Sequence, residues 1–254
     1  MTPEPEPGRV SAEQFDEAFG LVDVSPRLAE LFDEVMGPFP PHVEPFSMVT
    51  DTGLRRVFAE LQLGGGEHLV DLCCGRGGIG LWFAHQSRAR LTGVDFSPEA
   101  VRQAERRAEL FPDVSASFLV ASADATPLEG GSADAIVCID SLQLVPARDH
   151  VVQEMTRLLR PGGRVVITTW ERDEGFAGRT PINDAGGLVE RNGLRLILRE
   201  EHPEWMDRQT VMFERVIAED NDDAEPALRR LAEEGRTMLP LTATTRRVLV
   251  VATV

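Results

Sequence analysis

The chain has 254 residues, 42% of them apolar, a formal charge of −16, and 26 basic residues that are all arginine. That length suits one large α/β domain with an added subdomain, or two small domains, and the negative charge repels nucleic-acid phosphates and anionic membranes. With no lysine and no tyrosine, Schiff-base chemistry, a lysine-bearing phosphate loop and the Tyr/Lys relay of short-chain oxidoreductases are excluded.

From the amino terminus, residues 1–10 are rich in proline and glutamate and read as a disordered tail without the charged and apolar regions of a signal peptide. Residues 11–22 read as a helix. A second follows, with Ser25 as N-cap and Pro26 at the first helical position, and its Leu28, Leu31, Phe32, Val35 and Met36 share one face. The proline-rich stretch 37–46 is irregular. A third helix over 52–63 ends at Gly64-Gly65-Gly66. Residues 11–63 are expected to form an N-terminal helical cap over a domain spanning 64–254.

In that domain strands and helices alternate. Strands are expected at His68–Leu72, Arg90–Asp95, 116–121, Ala133–Ile139 and 163–170, with helices at 77–87, 98–110 and 148–159 between them. This pattern defines a parallel sheet covered on both faces. The last third changes character, with helices at 183–192, 205–219 and 225–234, and strands at 194–199 and 246–254 that read as an antiparallel pair on one edge. No run approaches the roughly 18 apolar residues of a membrane span. A cytoplasmic location is expected, and Cys73, Cys74 and Cys138 make neither a disulfide framework nor a cysteine-only zinc site. The acidic run 219–223 reads as a solvated turn, so no metal is expected.

The chemistry concentrates where Asp71 closes the first strand and Gly75-Arg-Gly-Gly-Ile-Gly80 opens the next helix. Glycines there permit positive φ and close backbone approach, and the helix N-terminus offers free N–H groups to a polar or anionic ligand. Asp95, twenty residues beyond Gly75, stands at the end of the second strand, where a carboxylate can hold a ribose diol. Asp124 lies on the third crossover beside the same crevice, suited to an adenine amine. Asp140-Ser141 ends the fourth strand, and Arg160-Pro-Gly-Gly163 feeds a fifth strand that exits at Trp170-Glu171.

This order of motifs resembles the class I S-adenosylmethionine-dependent methyltransferases over residues 48–172. The likeness is to the ubiquinone/menaquinone-methyltransferase-like, small-molecule branch that includes many bacterial natural-product enzymes. The resemblance implies a Rossmann-like, seven-stranded, mostly parallel sheet in order 3-2-1-4-5-7-6 with strand 7 antiparallel. It also implies S-adenosylmethionine as cofactor, S-adenosylhomocysteine as product, and a small-molecule partner. Asp71 and the backbone of Cys73, Gly75 and Gly77 would hold the methionine moiety, Asp95 with the adjoining Phe96 the ribose side, and Asp124 with Ala125 the adenine. Asp140 and Ser141 would lie near the sulfonium.

Two positions depart from the family pattern. Cys73 stands where the first turn glycine is usual, which is expected to be a matter of conformation, with φ negative. Gln143 stands where a histidine is common; it can orient a substrate but cannot take its proton. A base, if one is used, would come from Glu171, His42 or His202. Phe46, Gln143, Trp170 and Trp205 are the expected substrate-pocket residues, and the chain is expected to be a monomer or homodimer. Two other readings stay open. The literal G-x-G-x-x-G with Asp95 fits an NAD-dependent oxidoreductase, and a non-catalytic S-adenosylmethionine-binding protein would carry the same motifs.

Overall fold

The computed structural model describes residues 11–175 and 180–254; the tail assigned to 1–10 lies outside the described residues. Seven strands, β1 (His68–Leu72), β2 (Arg90–Asp95), β3 (Ala116–Val120), β4 (Ala133–Ile139), β5 (Leu159–Glu171), β6 (Arg195–Glu201) and β7 (Arg246–Thr253), join in one sheet of order β3-β2-β1-β4-β5-β7-β6. β1 to β5 are parallel, and β7 runs antiparallel to both β5 and β6. The sheet expected from the resemblance is the one formed.

Every residue of β1 is buried, as in a strand covered on both faces, and alternate side chains leave on opposite sides. Val70, Leu72, Ile136, Cys138, Val165 and Ile167 meet α6 (Arg148–Leu158) and α7 (Ala185–Arg191). Leu69, Ala135, Val137, Val166 and Val251 meet α3 (Asp51–Leu61) and α4 (Gly78–Ser87) on the other face. The helix α5 (Pro98–Ala108) lies along β2 and β3, and the Ser97 hydroxyl caps it by accepting from the Ala100 N–H.

Two local expectations are corrected. Ser25 sits at the N-cap of α2 (Pro26–Val35) without capping it; its hydroxyl donates to Glu225 instead. At the end of α3 the left-handed residue is Gln62, φ 50°, ahead of the glycine run.

The helices α1 (Ala12–Asp23) and α2 do not close on the sheet. Leu28, Leu31 and Phe32 pack with Met212, Phe213 and Val216 of α8 (Pro203–Glu219) and with Ala227, Leu228 and Ala232 of α9 (Pro226–Met238). Arg27 clamps this assembly, donating from Nε and Nη2 to the two Glu219 oxygens at 2.8 Å each. The cap is therefore drawn from both ends of the described chain, while α3, expected to be part of it, belongs to the helical layer on the sheet. The amphipathic face of α2 finds its partner in the equally amphipathic α8 and α9. No helix among the described residues is long and apolar enough to cross a membrane.

Candidate active site

The strand β1 lies between β2 and β4, so successive crossovers leave it in opposite directions and open a crevice at the carboxyl ends of the strands. A cavity of about 510 Å³ fills that crevice and continues under the cap.

Its floor is acidic and glycine-rich. Asp71 points toward α4, so close that a Cβ on Gly80 would lie 2.5 Å from its Oδ2. Burial pushes the Asp71 carboxyl up to about 8, helped by the charge of Asp95 and opposed by the Gly80 N–H. Cys73 turns the chain out of β1 at φ 60°. The expected negative φ is thus corrected: the sharp turn needs a left-handed residue there, glycine or not. Its thiol is hydrogen-bonded to Cys138 and half-buried, and the bond and the lost water together push it well above the usual thiol range. Gly77 has φ 76°, and a Cβ there would stand 2.7 Å from the Ala104 Cβ, so only glycine lets α4 begin against α5.

Asp95 accepts from the Gly75 N–H at 2.8 Å and the Ser97 N–H at 3.0 Å. Burial raises its carboxyl to about 6 against these backbone donors. Phe96 is beside it, edge-on to Phe15 with ring centroids 5.2 Å apart. Across the crevice Ser122 and Ala123 line the cavity. Asp124 and Ala125 are one step removed from the wall; Asp124 accepts from the Ser122 hydroxyl at 2.5 Å and so steadies the lining residue.

At the end of β4, Asp140 (φ 50°) and Ser141 reach the cavity. Both Asp140 oxygens accept from Arg247 Nη2 at 2.7 Å, and the Thr168 hydroxyl donates to Oδ1 at 2.8 Å. Gln143 also lines the cavity, but its amide is engaged at both ends. Oε1 accepts from the Thr169 hydroxyl at 2.9 Å, and Nε2 donates to the Asp140 carbonyl at 2.5 Å, leaving one N–H hydrogen for a substrate.

The outer wall is apolar. Phe15, Phe19 and Val22 of α1, Leu28 and Phe32 of α2, Phe46, Met48, Trp170, and Leu231 and Met238 of α9 surround it. Phe19 packs on Phe46 at 4.8 Å and covers the position a Cβ of Gly75 would take, 3.5 Å away. Arg230, Glu234 and Thr237, one helical face of α9, give this wall its polar stripe. Phe46 and Trp170, expected in a substrate pocket, line this cavity. The contributions of α1 and α9 were missed, although their apolar spacing signalled buried faces.

Four expected residues stand elsewhere. Glu171 does not line the cavity; it accepts from the Ala185 N–H at 2.9 Å and from Arg199 Nε at 3.0 Å, with Arg246 3.6 Å away. Its carboxylate anchors the start of α7, which corrects its role as the base. His202 stacks on Trp205 with centroids 3.8 Å apart, and its Nδ1 contacts Glu204 Oε1 at 2.7 Å. Trp205 is 1% exposed in the core between α3 and the sheet. Both belong to the start of α8, which packs back on the sheet, away from the crevice. His42 also misses the lining; its ring faces Phe111 and its carbonyl accepts from Arg107 at 2.8 Å. Among the described residues no group of three or more His, Cys, Asp and Glu side chains converges as a metal site.

The sheet order, the turn after β1 and the acids at the ends of β1, β2 and β4 define the class I methyltransferase fold. Residues 69–163 match the model of the family described as methyltransferase domain. The chain is 33% identical to 27-O-demethylrifamycin SV methyltransferase of Amycolatopsis mediterranei over 113 residues, 44% of this chain and 42% of that one. It spans about half the length of the curated relatives it matches. Phosphoethanolamine N-methyltransferase 2 of Haemonchus contortus, solved with phosphomonomethylethanolamine and S-adenosylhomocysteine, superposes with a TM-score of 0.74 at 19% identity, covering 98% of this chain and 61% of that one. The [4+2]-cyclase SpnF superposes with a TM-score of 0.74 at 20% identity, covering 98% and 97%. These two likenesses show the fold alone. The antiparallel β7 and the family match favour this class over a dinucleotide oxidoreductase.

Proposed function

We propose that the protein transfers a methyl group from S-adenosylmethionine to a small, largely apolar acceptor of the natural-product type. The observation that carries this reading is a single cavity whose floor is acidic and glycine-rich and whose outer wall is aromatic and aliphatic. The floor suits the cofactor. Asp71 is a buried acid held protonated at neutral pH by its surroundings, and a cation placed beside it would relieve that cost. Asp95 keeps lone pairs beyond the two backbone bonds described above, enough to receive a ribose diol. Gly77 and its neighbours let the backbone approach the methionine part, with Cys73 setting the turn, and Ser122 and Ala123, steadied by Asp124 with Ala125, face the adenine side. Bound there, S-adenosylmethionine supplies an activated methyl group and leaves as S-adenosylhomocysteine.

The protein's part is alignment. Phe19, Phe46 and Trp170 exclude water and orient the acceptor, and holding the acceptor near 3 Å on the far side of the methyl contributes up to ~7–11 kcal/mol. No histidine lines the cavity among the described residues, and Asp140 is ion-paired with Arg247. An acceptor that needs little help losing a proton, such as an amine, an electron-rich carbon or an acidic hydroxyl, fits this wall. The reading includes a cytoplasmic protein, monomer or homodimer, with no nucleic acid, membrane or metal partner. Calorimetry with S-adenosylmethionine and NAD, then S-adenosylhomocysteine release across phenols, hydroquinones and amines, tests it. Binding of NAD and not of S-adenosylmethionine would refute the reading. One second reading is a protein that binds S-adenosylmethionine and keeps it intact; cofactor binding with no release across a broad acceptor panel would select it.

A further inference from the structure

Arg247 is 0% exposed at the start of β7, and sequence reading gave it no role. Besides its two contacts with Asp140, its Nη1 donates to Gln209 Oε1 at 2.7 Å and to the Met48 carbonyl at 3.1 Å. The last two acceptors are neutral, so the unit carries one positive and one negative charge. A buried ion pair is a poor source of stability, because desolvation offsets most of the attraction. Its location is the informative fact. Asp140 lines the cavity beside Ser141, at the strand end that the family resemblance puts near the sulfonium, and Thr168 and Gln143 hold it there.

We infer that Arg247 is a positioning residue that masks the charge of Asp140, so that the transfer site does not favour the cationic cofactor over its neutral product. The inference rests on the methyl-transfer reading above. In that step an acceptor electron pair forms the new bond to the methyl carbon, the carbon–sulfur pair stays on sulfur, and the sulfonium becomes a neutral thioether. Charge leaves the sulfur as the step proceeds. A bare carboxylate beside it would stabilise the reactant more than the transition state and slow the reaction. Paired with a guanidinium that cannot shed its proton, the same side chain shapes the end of β4 without that penalty. Through Met48 and Gln209 the guanidinium also ties an acceptor-wall residue and α8 to the transfer point.

Titration calorimetry of the full chain with S-adenosylmethionine and with S-adenosylhomocysteine tests the inference. The two ligands differ by one methyl and its charge, so the ratio of their dissociation constants isolates the field at sulfur. Asp140→Asn unmasks the guanidinium and should weaken S-adenosylmethionine relative to S-adenosylhomocysteine by about tenfold or more. Arg247→Met unmasks the carboxylate and should move the ratio the other way, and the double variant should return it to within about twofold of the wild type. If Asp140→Asn and the double variant shift the ratio alike, Asp140 itself holds the sulfonium and masking is wrong. A ratio that no variant moves overturns masking as well. Should Arg247→Met not fold, Arg247→Lys keeps the charge and must keep the ratio while Asp140→Asn shifts it. A folded wild type that binds neither ligand refutes the methyl-transfer reading instead.

Discussion

Replacing Asp71 with Asn should make the ligand-free protein more stable and the cofactor weaker. The carboxyl rises from 3.8 to about 8 on folding because burial removes its water. Between those values the unfolded chain has lost a proton that the folded chain keeps. The folded state therefore binds more protons, and its stability falls as pH rises from about 4 to about 8. Each unit of displacement is worth ~1.4 kcal/mol, which sets an upper figure of ~6 kcal/mol at pH 8.5. Asn keeps the shape and accepts from the Gly80 N–H, but that bond weakens without the charge, and relaxation around a buried acid reduces the difference; a net gain of ~1–3 kcal/mol is expected. Denaturant unfolding at pH 4, 6 and 8.5 reads it out, with variant and wild type closest at pH 4 and separating as pH rises. Calorimetry at pH 8.5 should show S-adenosylmethionine binding weakened about tenfold or more. A variant less stable than wild type by a pH-independent amount would refute the reasoning, because Asp71 would then be a structural acid with no ionisation cost for a cation to relieve.

Asp95→Ala should weaken S-adenosylmethionine binding about tenfold or more, since a charge-assisted contact of ~1.5–3 kcal/mol is removed; unchanged affinity in a folded variant takes Asp95 out of the site. Gly78→Ala places a Cβ 1.9 Å from the Val43 carbonyl oxygen and should cost ~2–4 kcal/mol by displacing the loop that carries Phe46 and Met48, with a melting temperature at the wild-type value as the contrary result. Glu171→Gln should lower unfolding stability by ~1–3 kcal/mol through its bonds to Arg199 and the α7 amide, while turnover per folded molecule stays at the wild-type level. A hundredfold fall in turnover without loss of stability would restore Glu171 as the base.

The acidic, glycine-rich floor of the cavity was legible because its signals are local. Asp71 and the glycine turn are consecutive in sequence, Asp95 and Asp140 end apolar runs, and each fixes its own position relative to a strand. Side-chain direction at the exit of β5 was not legible. Trp170 pairs with Arg247 and Glu171 with Arg246 across β7, so a period of two sends the tryptophan toward the cavity and the glutamate toward α7. One residue of register separates a pocket wall from a helix anchor. Arg247 lay out of reach for a different reason, since its partner is 107 positions away and an arginine opening a strand looks like an edge charge. His202 and Trp205 misled because the loop before α8 reads as a crevice loop, whereas the helix start turns back onto the sheet.

Every residue of the aromatic and aliphatic wall contributed by α1, α2, residues 43–48, Trp170 and α9 falls outside 69–163, the segment that matches the family model. Conversely, the turn glycines and the strand-end acids Asp71, Asp95 and Asp140 fall inside it. The acidic, glycine-rich floor and the apolar wall are thus drawn from different segments of the chain. The two flanks of the matched segment are not independent of each other, because Arg27 and the shared apolar cluster bind the front helices to the rear ones. A graft that exchanges acceptor preference between homologues must therefore carry both flanks together, and a chimera with one foreign flank inherits an interface that no longer fits.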